Sequence, residues 1–460
     1  MLRRAAIHAA LLGAIWLAAS AAYAVIFEGG RQLAWLAVDV AVVALAAWVV
    51  ARDRELVGFR SLGPRRLAAI VAIALLAFGC VAIVQSVIED GNGLWLDERE
   101  YLAMLREGAI RRGGLLPFSL RWLEPMLAGA WNILPVDDAP ALKSVNFGAL
   151  VMTSVLLVLA LVRLGVSRAL ALASPVLLAC SYLGVYSAEN RLVLDPFNYA
   201  LFVVLLHTLL HRAHRAYFAI ALVVLACNSE KAVYWLPVLG VLALLESERT
   251  GWRRLGDAAK QVAVYGGPAV LYLVAMRLYL AGAPSDTHAF VGKLRVMAFT
   301  PLGAKTTDAG DTFVTLWFPF GGLTVYALLG LRHAPRPLQA AAVLALPILA
   351  STLVATDTER MVAYGFVVVL PLALVYLTAA YAAMPRVLAG TLLAFTVALA
   401  IAQHYLLPVA RLLGDNVLSH NPARIRLAVA AIEILLVGTT VYLRETIYSR
   451  GASSSKPATF

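Results

Sequence analysis

Asp97 and Glu98 stand side by side at the start of a polar stretch in an otherwise apolar chain. Two adjacent carboxylates can take a proton from an incoming hydroxyl or hold a divalent cation. Asp97 followed by Glu100 also has the spacing of a capping box, with acidic residues offsetting the dipole of a helix's first turn. The two readings are compatible, because a capping position fixes a carboxylate in place; Glu98 is left unexplained by the box. Cations that can meet a phosphate recur along the chain at Arg121, Arg191, Lys231, Lys293, Arg295, Lys305 and Arg360. Arginine suits that task through its fork of donors, although charges at the ends of apolar runs also serve as interface anchors.

The elements that would position these groups are membrane helices. Apolar residues make up 62% of the 460, charged residues 14%, and mean hydropathy is +0.81; soluble domains run near 45–50% and 25%. Fourteen apolar segments follow in order: 5–27, 33–51, 67–88, 145–163, 169–186, 196–210, 216–228, 232–246, 262–281, 312–331, 340–356, 361–384, 387–408 and 427–443. The expected fold is all-α, a polytopic membrane protein of 13–14 transmembrane helices. Met1-Leu-Arg-Arg4 and the run after it lack a small-residue cleavage site, so a retained first helix with a cytoplasmic N-terminus is expected.

Alternating the segments from that start leaves 21 Lys/Arg and six Asp/Glu in the cytoplasmic loops, against 17 and 19 on the outer side when Arg277, near the outer end of 262–281, is counted there. That asymmetry is the positive-inside rule, and it accounts for the net charge of +11 without nucleic acid. The two long external loops, 89–144 and 282–311, and the charged external turns are where chemistry is expected. The least secure pair of spans, 216–228 and 232–246, is kept apart by Asn228-Ser-Glu-Lys231, and short interrupted helices usually line a cavity.

Within the first loop, Tyr101, Met104, Leu105 and Gly108 follow helical spacing, with Arg99, Glu100, Ala103 and Arg106 on other faces. This describes an amphipathic helix at the interface, and Leu120–Trp131 is a second, shorter one. Asp137 and Asp138 precede Ala-Pro and read as a solvated turn. His288, two residues after Asp286, has the chemistry to bind a sugar or a metal, and no second histidine stands near it. Asp39 and Glu433 lie inside apolar spans, where hydrogen bonding between helices is the plainer reading and function the sharper one. Cys80, Cys180 and Cys227 lie in apolar runs without metal or disulfide spacing and read as core filler.

Several stretches together resemble the GT-C superfamily, polytopic glycosyltransferases that use polyprenyl-phosphate-linked sugars, in the pattern of the protein mannosyltransferase and aminoarabinose transferase type. Leu96-Asp-Glu-Arg-Glu-Tyr101 is similar to that family's acidic motif in the first extracytoplasmic loop. Trp122-Leu-Glu-Pro-Met-Leu127 through Ile133-Leu-Pro135, and Lys143-Ser-Val-Asn146 entering a helix that ends at Leu161-Val-Arg-Leu-Gly165, resemble the next segment. Glu189-Asn-Arg-Leu-Val-Leu-Asp-Pro196 and Thr358-Glu-Arg-Met361 resemble external turns. Asn228-Ser-Glu-Lys-Ala-Val-Tyr-Trp-Leu-Pro237 resembles a Lys-Glu hairpin tip, with the order reversed.

The likeness covers 67–384. It implies two extra N-terminal helices (1–66), a catalytic core (67–384), C-terminal helices (385–447) and a disordered cytoplasmic tail (448–460). In the family the acidic loop follows the first helix, whereas Asp97 follows the third span, and the C-terminal soluble domain of some members has no counterpart.

What the resemblance implies for residues is specific. Asp97 would be the general base of an inverting transfer and Glu98 an orienting or metal-contacting carboxylate. Arg191, Lys231, Arg360 and Arg121 would meet the donor phosphate. Tyr101, Glu189, Asp195, Glu230 and His288 are candidates for substrate contact. Some relatives bind a divalent cation, Mg or Mn, and others do not; the Asp97–Glu98 pair is where one would sit. The expected partners are the polyprenyl-phosphate-linked sugar, membrane lipids and a lipid, glycan or protein acceptor, at a bacterial inner membrane with the site facing the periplasm. Two other classes stay open: a secondary transporter or lipid flippase, and a silent family member acting as an assembly subunit. Charges gathered at one membrane face, with no internal repeat, weigh against transport.

Overall fold

The computed structural model describes residues 64–88, 96–108, 110, 120–129, 138–210, 215–280, 316–352, 358–412 and 422–448, which are almost wholly helical, with no strand among them. The expected spans 5–27 and 33–51, and the tail, lie outside these residues. The described part of each expected span from 67 onward lies on one helix or on consecutive helical pieces, with a turn at Phe318–Gly322. Among the described residues, four helical segments are long and apolar enough to cross a membrane, and a fifth passes if two helices bent by 45° form one span. The chain is a membrane protein on that ground.

In chain order the helices are α1 (Pro64–Ile88), α2 (Leu96–Glu107), α3 (Leu123–Gly129), α4 (Asp138–Arg163), α5 (Arg168–Ala179), α6 (Tyr182–Glu189), α7 (Asp195–Leu210), α8 (Arg215–Asn228) and α9 (Leu236–Glu246). There follow α10 (Gly251–Gln261), α11 (Gly267–Leu280), α12 (Leu323–Gly330), α13 (Arg336–Ala341), α14 (Ala345–Thr352), α15 (Thr358–Ala363), α16 (Phe366–Ala382), α17 (Arg386–Leu412) and α18 (Pro422–Tyr442). They divide into two compact units. The first holds the described residues up to Leu159 and from Tyr186 to Leu280; the second holds Ala160–Val185 and the described residues from Leu316 on.

In the first unit α4 is the central helix: 89% of its most apolar stretch is buried, against 11% for the continuous helix Gly251–Leu280. A helix apolar on all sides belongs inside a bundle, whereas the bare apolar flank of α11, with Leu271 and Leu278 each 70% exposed, suits a lipid covering. Helix α4 begins at Asp138, two turns before the expected span, so the first external loop ends earlier and Asp138 belongs to a helix rather than a turn. The physical reason is favourable end chemistry: Asp138 opposes the helix dipole in the first turn, Pro140 lacks an N–H that would go unbonded there, and Arg106 donates to Asp138 at 2.6 Å. Between the expected spans 232–246 and 262–281 the chain is not a simple loop. It is α10, running through a π-helical turn at Val262–Gly266 into α11.

Helix α2 is amphipathic as its spacing predicts, with Glu98, Tyr101, Leu102, Met104 and Leu105 buried and Arg99 and Arg106 exposed. Gly108 departs from the expected apolar face: it is exposed and sits at φ 59°, the left-handed residue that ends a helix. Helix α2 packs on α3 and the ends of α4 and α7 through Tyr101, Leu105, Ala128, Leu142, Val145, Leu192 and Leu194.

In the second unit α12 lies against α16 so closely that a Cβ on Gly330 would stand 2.0 Å from the carbonyl oxygen of Leu372. Small residues permit such approach between membrane helices. Glu433, inside the α18 span, accepts a hydrogen bond from the Trp317 indole at 2.6 Å, the bonding between segments that was the plainer reading of this carboxyl. Gly321, at φ 52°, fits beneath it, where a Cβ would stand 2.3 Å from Glu433 Oε1. None of the three cysteines is in a disulfide; Cys180 is buried and Cys227 half-buried, but Cys80 is exposed on α1 rather than filling a core.

Candidate functional site

The polar residues of the first unit gather where α2, α3, α7 and the break after α8 meet. The break is encoded locally. Helix α8 ends at Asn228, Ser229 accepts from the Lys231 backbone N–H through its hydroxyl, and Glu230–Trp235 makes a 3-10 turn before Pro237 starts α9. That geometry holds Asn228, Glu230 and Lys231 together at the interruption between two apolar helices.

Arg121, just ahead of α3, is the main connector. Its Nε and Nη2 donate to the two oxygens of Glu230 at 3.0 and 2.5 Å, and its Nη1 donates to the Tyr101 hydroxyl at 3.1 Å. This is the fork-to-carboxylate pairing that arginine makes and lysine does not. Arg121 is 8% exposed, whereas the Glu230 side chain keeps 41% of its surface. Burial acts to raise the Glu230 carboxyl, but the charges of Arg121 and Lys231 and the arginine's hydrogen bonds outweigh it and hold it down to about 2.

The second part of the cluster is darker. Lys231 Nζ lies 3.9 Å from Asp195 Oδ1, both groups buried, and Asp195 occupies the first turn of α7, where the helix dipole favours an anion. Asn228 joins three segments: its Oδ1 accepts from the Glu124 backbone N–H at 2.9 Å, and its Nδ2 donates to Asn198 Oδ1 at 2.9 Å and to Glu124 Oε2 at 3.4 Å. It thereby caps α3, whose first-turn N–H groups have no partner within the helix. Glu124 is fully buried and its Oε1 has no hydrogen-bond partner. Burial, reinforced by the nearby charge of Asp195, raises its carboxyl well above the usual range despite the Asn228 bond. The neighbouring Trp122 indole donates to the Tyr272 hydroxyl at 2.5 Å, tying this region to α11.

Of the residues singled out from sequence, Arg121, Tyr101, Asp195, Glu230 and Lys231 come together here. The Asp97 and Glu189 side chains and all of His288 lie outside the described residues; the backbone places position 97 in the first turn of α2, one turn before Tyr101 and on the same face. Glu98 is buried on α2. Arg191 lines a different cleft, beside Lys143. Arg360 is buried on α15 in the second unit. Among the described residues no three His, Cys, Asp or Glu side chains gather as a metal-binding group.

Glu124, Asn198 and Asn228 were missed as site residues. A signal for them existed: Asn198 stands three residues after Asp195 at the head of an apolar helix, and Glu124 three after Arg121, spacings that share a helix face. No protein-family model matches this chain, and no curated protein or solved structure is detectably similar to it.

Proposed function

We propose that this protein is an integral-membrane glycosyltransferase that moves one sugar from a polyprenyl-phosphate-linked donor to a lipid, glycan or protein acceptor. It would work on the periplasmic side of a bacterial inner membrane. The observation that carries the reading is the buried cluster in which Arg121, Glu124, Asp195, Asn198, Asn228, Glu230 and Lys231 meet at a break between apolar helices. Ionisable groups are costly in such a chain and tend to be kept for function. The acidic motif stands next to it, since position 97 shares the face of α2 from which Tyr101 reaches Arg121.

In the proposed reaction Asp97 takes the proton of the acceptor hydroxyl. The acceptor oxygen bonds to the anomeric carbon from the face opposite the phosphate, the bond from that carbon to the phosphate oxygen breaks, and polyprenyl phosphate leaves with the electron pair. Arg121 and Lys231, held in place by Glu230 and Asp195, would offset the charge that develops on the leaving phosphate. Glu98 beside the base would orient it or share a divalent cation, Mg or Mn.

The test is transfer from a radiolabelled polyprenyl-phosphate-linked hexose by purified protein in liposomes, followed by mass spectrometry of the product. Asp97→Asn is expected to abolish the covalent product while melting temperature and membrane insertion stay unchanged; full activity in that variant removes the base assignment. Glu433, a carboxyl buried inside a span, is an observation that favours a transporter. Movement of lipid across the liposome without covalent product would decide for that reading.

A further inference from the structure

A second polar site lies in the first unit, in a cleft between α1, α4 and the end of α6. Lys143 and Arg191, both half-buried, line it together with Asn146 and Ser187, and its walls are Phe78, Phe147 and Leu150. Asn146 donates both its N–H bonds to the carbonyls of Arg191 and Val193, at 2.9 Å each, and so fixes the turn that carries Arg191. Two of the atoms at this cleft that lack a hydrogen-bond partner are Asn146 Oδ1 and Ser187 Oγ, both buried, on residues each only 3% exposed. Buried polar atoms of this kind are rare in folded proteins and mark a missing partner. Ser187 is the more telling, because a helical serine ordinarily bonds back to its own helix.

The chemistry defines the partner. Two cations and a hydroxyl donor suit a phosphate; a carbonyl oxygen needs a donor, which a phosphate lacks and a neighbouring hydroxyl has. Leu150 lies seven residues beyond Lys143 on α4, about 10 Å along the helix, so the apolar walls lead away from the charged end as a hydrocarbon chain would. Phe78 and Ala82, one turn apart, form the same strip on α1. We propose that this cleft binds a lipid whose phosphate carries an adjacent hydroxyl, phosphate on Lys143, Arg191 and Ser187, hydroxyl on Asn146 Oδ1, chain along Phe78, Phe147 and Leu150. Both a glycerol-headed phospholipid and a sugar-bearing polyprenyl phosphate have that chemistry. Only the second case rests on the transferase reading.

The experiment is native mass spectrometry of the full chain released from detergent with phosphatidylglycerol, with phosphatidylcholine, or with a polyprenyl-phosphate-linked hexose. The protein is expected to retain one phosphatidylglycerol and no phosphatidylcholine. Lys143→Gln with Arg191→Gln removes two charge-assisted contacts and should weaken retention at least about tenfold. Ala82→Trp, which leaves every charge in place and fills the cleft, should do the same, with circular dichroism and melting temperature confirming that each variant folds. Displacement of phosphatidylglycerol by the polyprenyl lipid makes the cleft a donor site, and failure to displace makes it a site for bilayer lipid; either upholds phosphate binding. Equal retention of phosphatidylglycerol by all three proteins, or of both phospholipids by the unaltered chain, overturns it. The outcome is separable from the transferase test, since Asp97→Asn should be inactive with lipid retention intact.

Discussion

Replacing Glu230 by Gln removes the carboxylate that accepts two hydrogen bonds from Arg121. The carboxyl is held at about 2 against an ordinary value of 4.5, a difference that would be worth about 3 kcal/mol if the pair were wholly dry. With 41% of the Glu230 side chain exposed, water screens the pair and its own contribution falls to about 1 kcal/mol. The larger part of the loss comes from Arg121, whose side chain is 10% exposed and which would lose its two-pronged contact with a carboxylate. Breaking a buried pair from one side costs about 3–5 kcal/mol, and partial exposure of the site brings the expected total for Glu230→Gln to about 2–3 kcal/mol. Adding Arg121→Gln removes the stranded charge, so the double variant should be more stable than Glu230→Gln alone by about 1 kcal/mol or more. The assay is thermal and chemical unfolding in mild detergent followed by tryptophan fluorescence, across pH. Because the folded value is depressed, this stabilisation is full above about 4.5 and drains as pH falls toward 2. The unaltered protein should lose stability in that window and Glu230→Gln should lose less. Simple addition of the two single losses in the double variant, or identical acid profiles, would refute the claim that the pair fixes Arg121.

Glu124→Gln should cost little stability and should gain relative to the unaltered protein as pH rises, because it imitates the protonated form that burial favours. The raised value means that the stability Glu124 supplies is complete below 4.5 and is lost as pH climbs through its folded value, so the variant should flatten the unfolding profile above pH 4.5; a less stable variant with the same slope counts against it. Gly330→Ala puts a methyl group 2.0 Å from the Leu372 carbonyl oxygen, and forcing α12 and α16 apart should cost about 1–3 kcal/mol, read as a lowered melting temperature; an unchanged melting temperature would mean that the two helices are not that close.

The spans and the interruption at Asn228-Ser-Glu-Lys231 were legible because a membrane forces long apolar runs and punishes their breaks. Helix α2 was legible from its spacing, since polar and apolar residues divide between its two faces. The extra turns of α4 were not, because Asp138-Ala-Pro140 has the composition of a turn and becomes a helix start only when Arg106 from α2 arrives to hold it. Asp195, Glu230, Lys231, Arg121 and Tyr101 were found as charges or aromatics in motifs. Asn198 and Asn228 escaped because an amide in an apolar helix carries no charge to draw notice, and their role exists only when two helices distant in sequence are side by side. The Lys143 cleft escaped for a similar reason: its unpartnered atoms are defined by what the fold fails to supply them.

Counting charge explains why the cluster tolerates burial. Arg121 and Lys231 bring two positive charges, and Glu230 and Asp195 bring two negative ones at close range. Glu124 is a further carboxyl in the cluster, and burial, with the charge of Asp195 beside it, raises it well above the usual range. Two glutamates within one cluster are thus driven in opposite directions, Glu230 down by its arginine and Glu124 up by burial, a divergence that elsewhere separates acid from base roles. Removing either cation should therefore do more than lose a contact: it takes away charge that offsets Glu230 or Asp195.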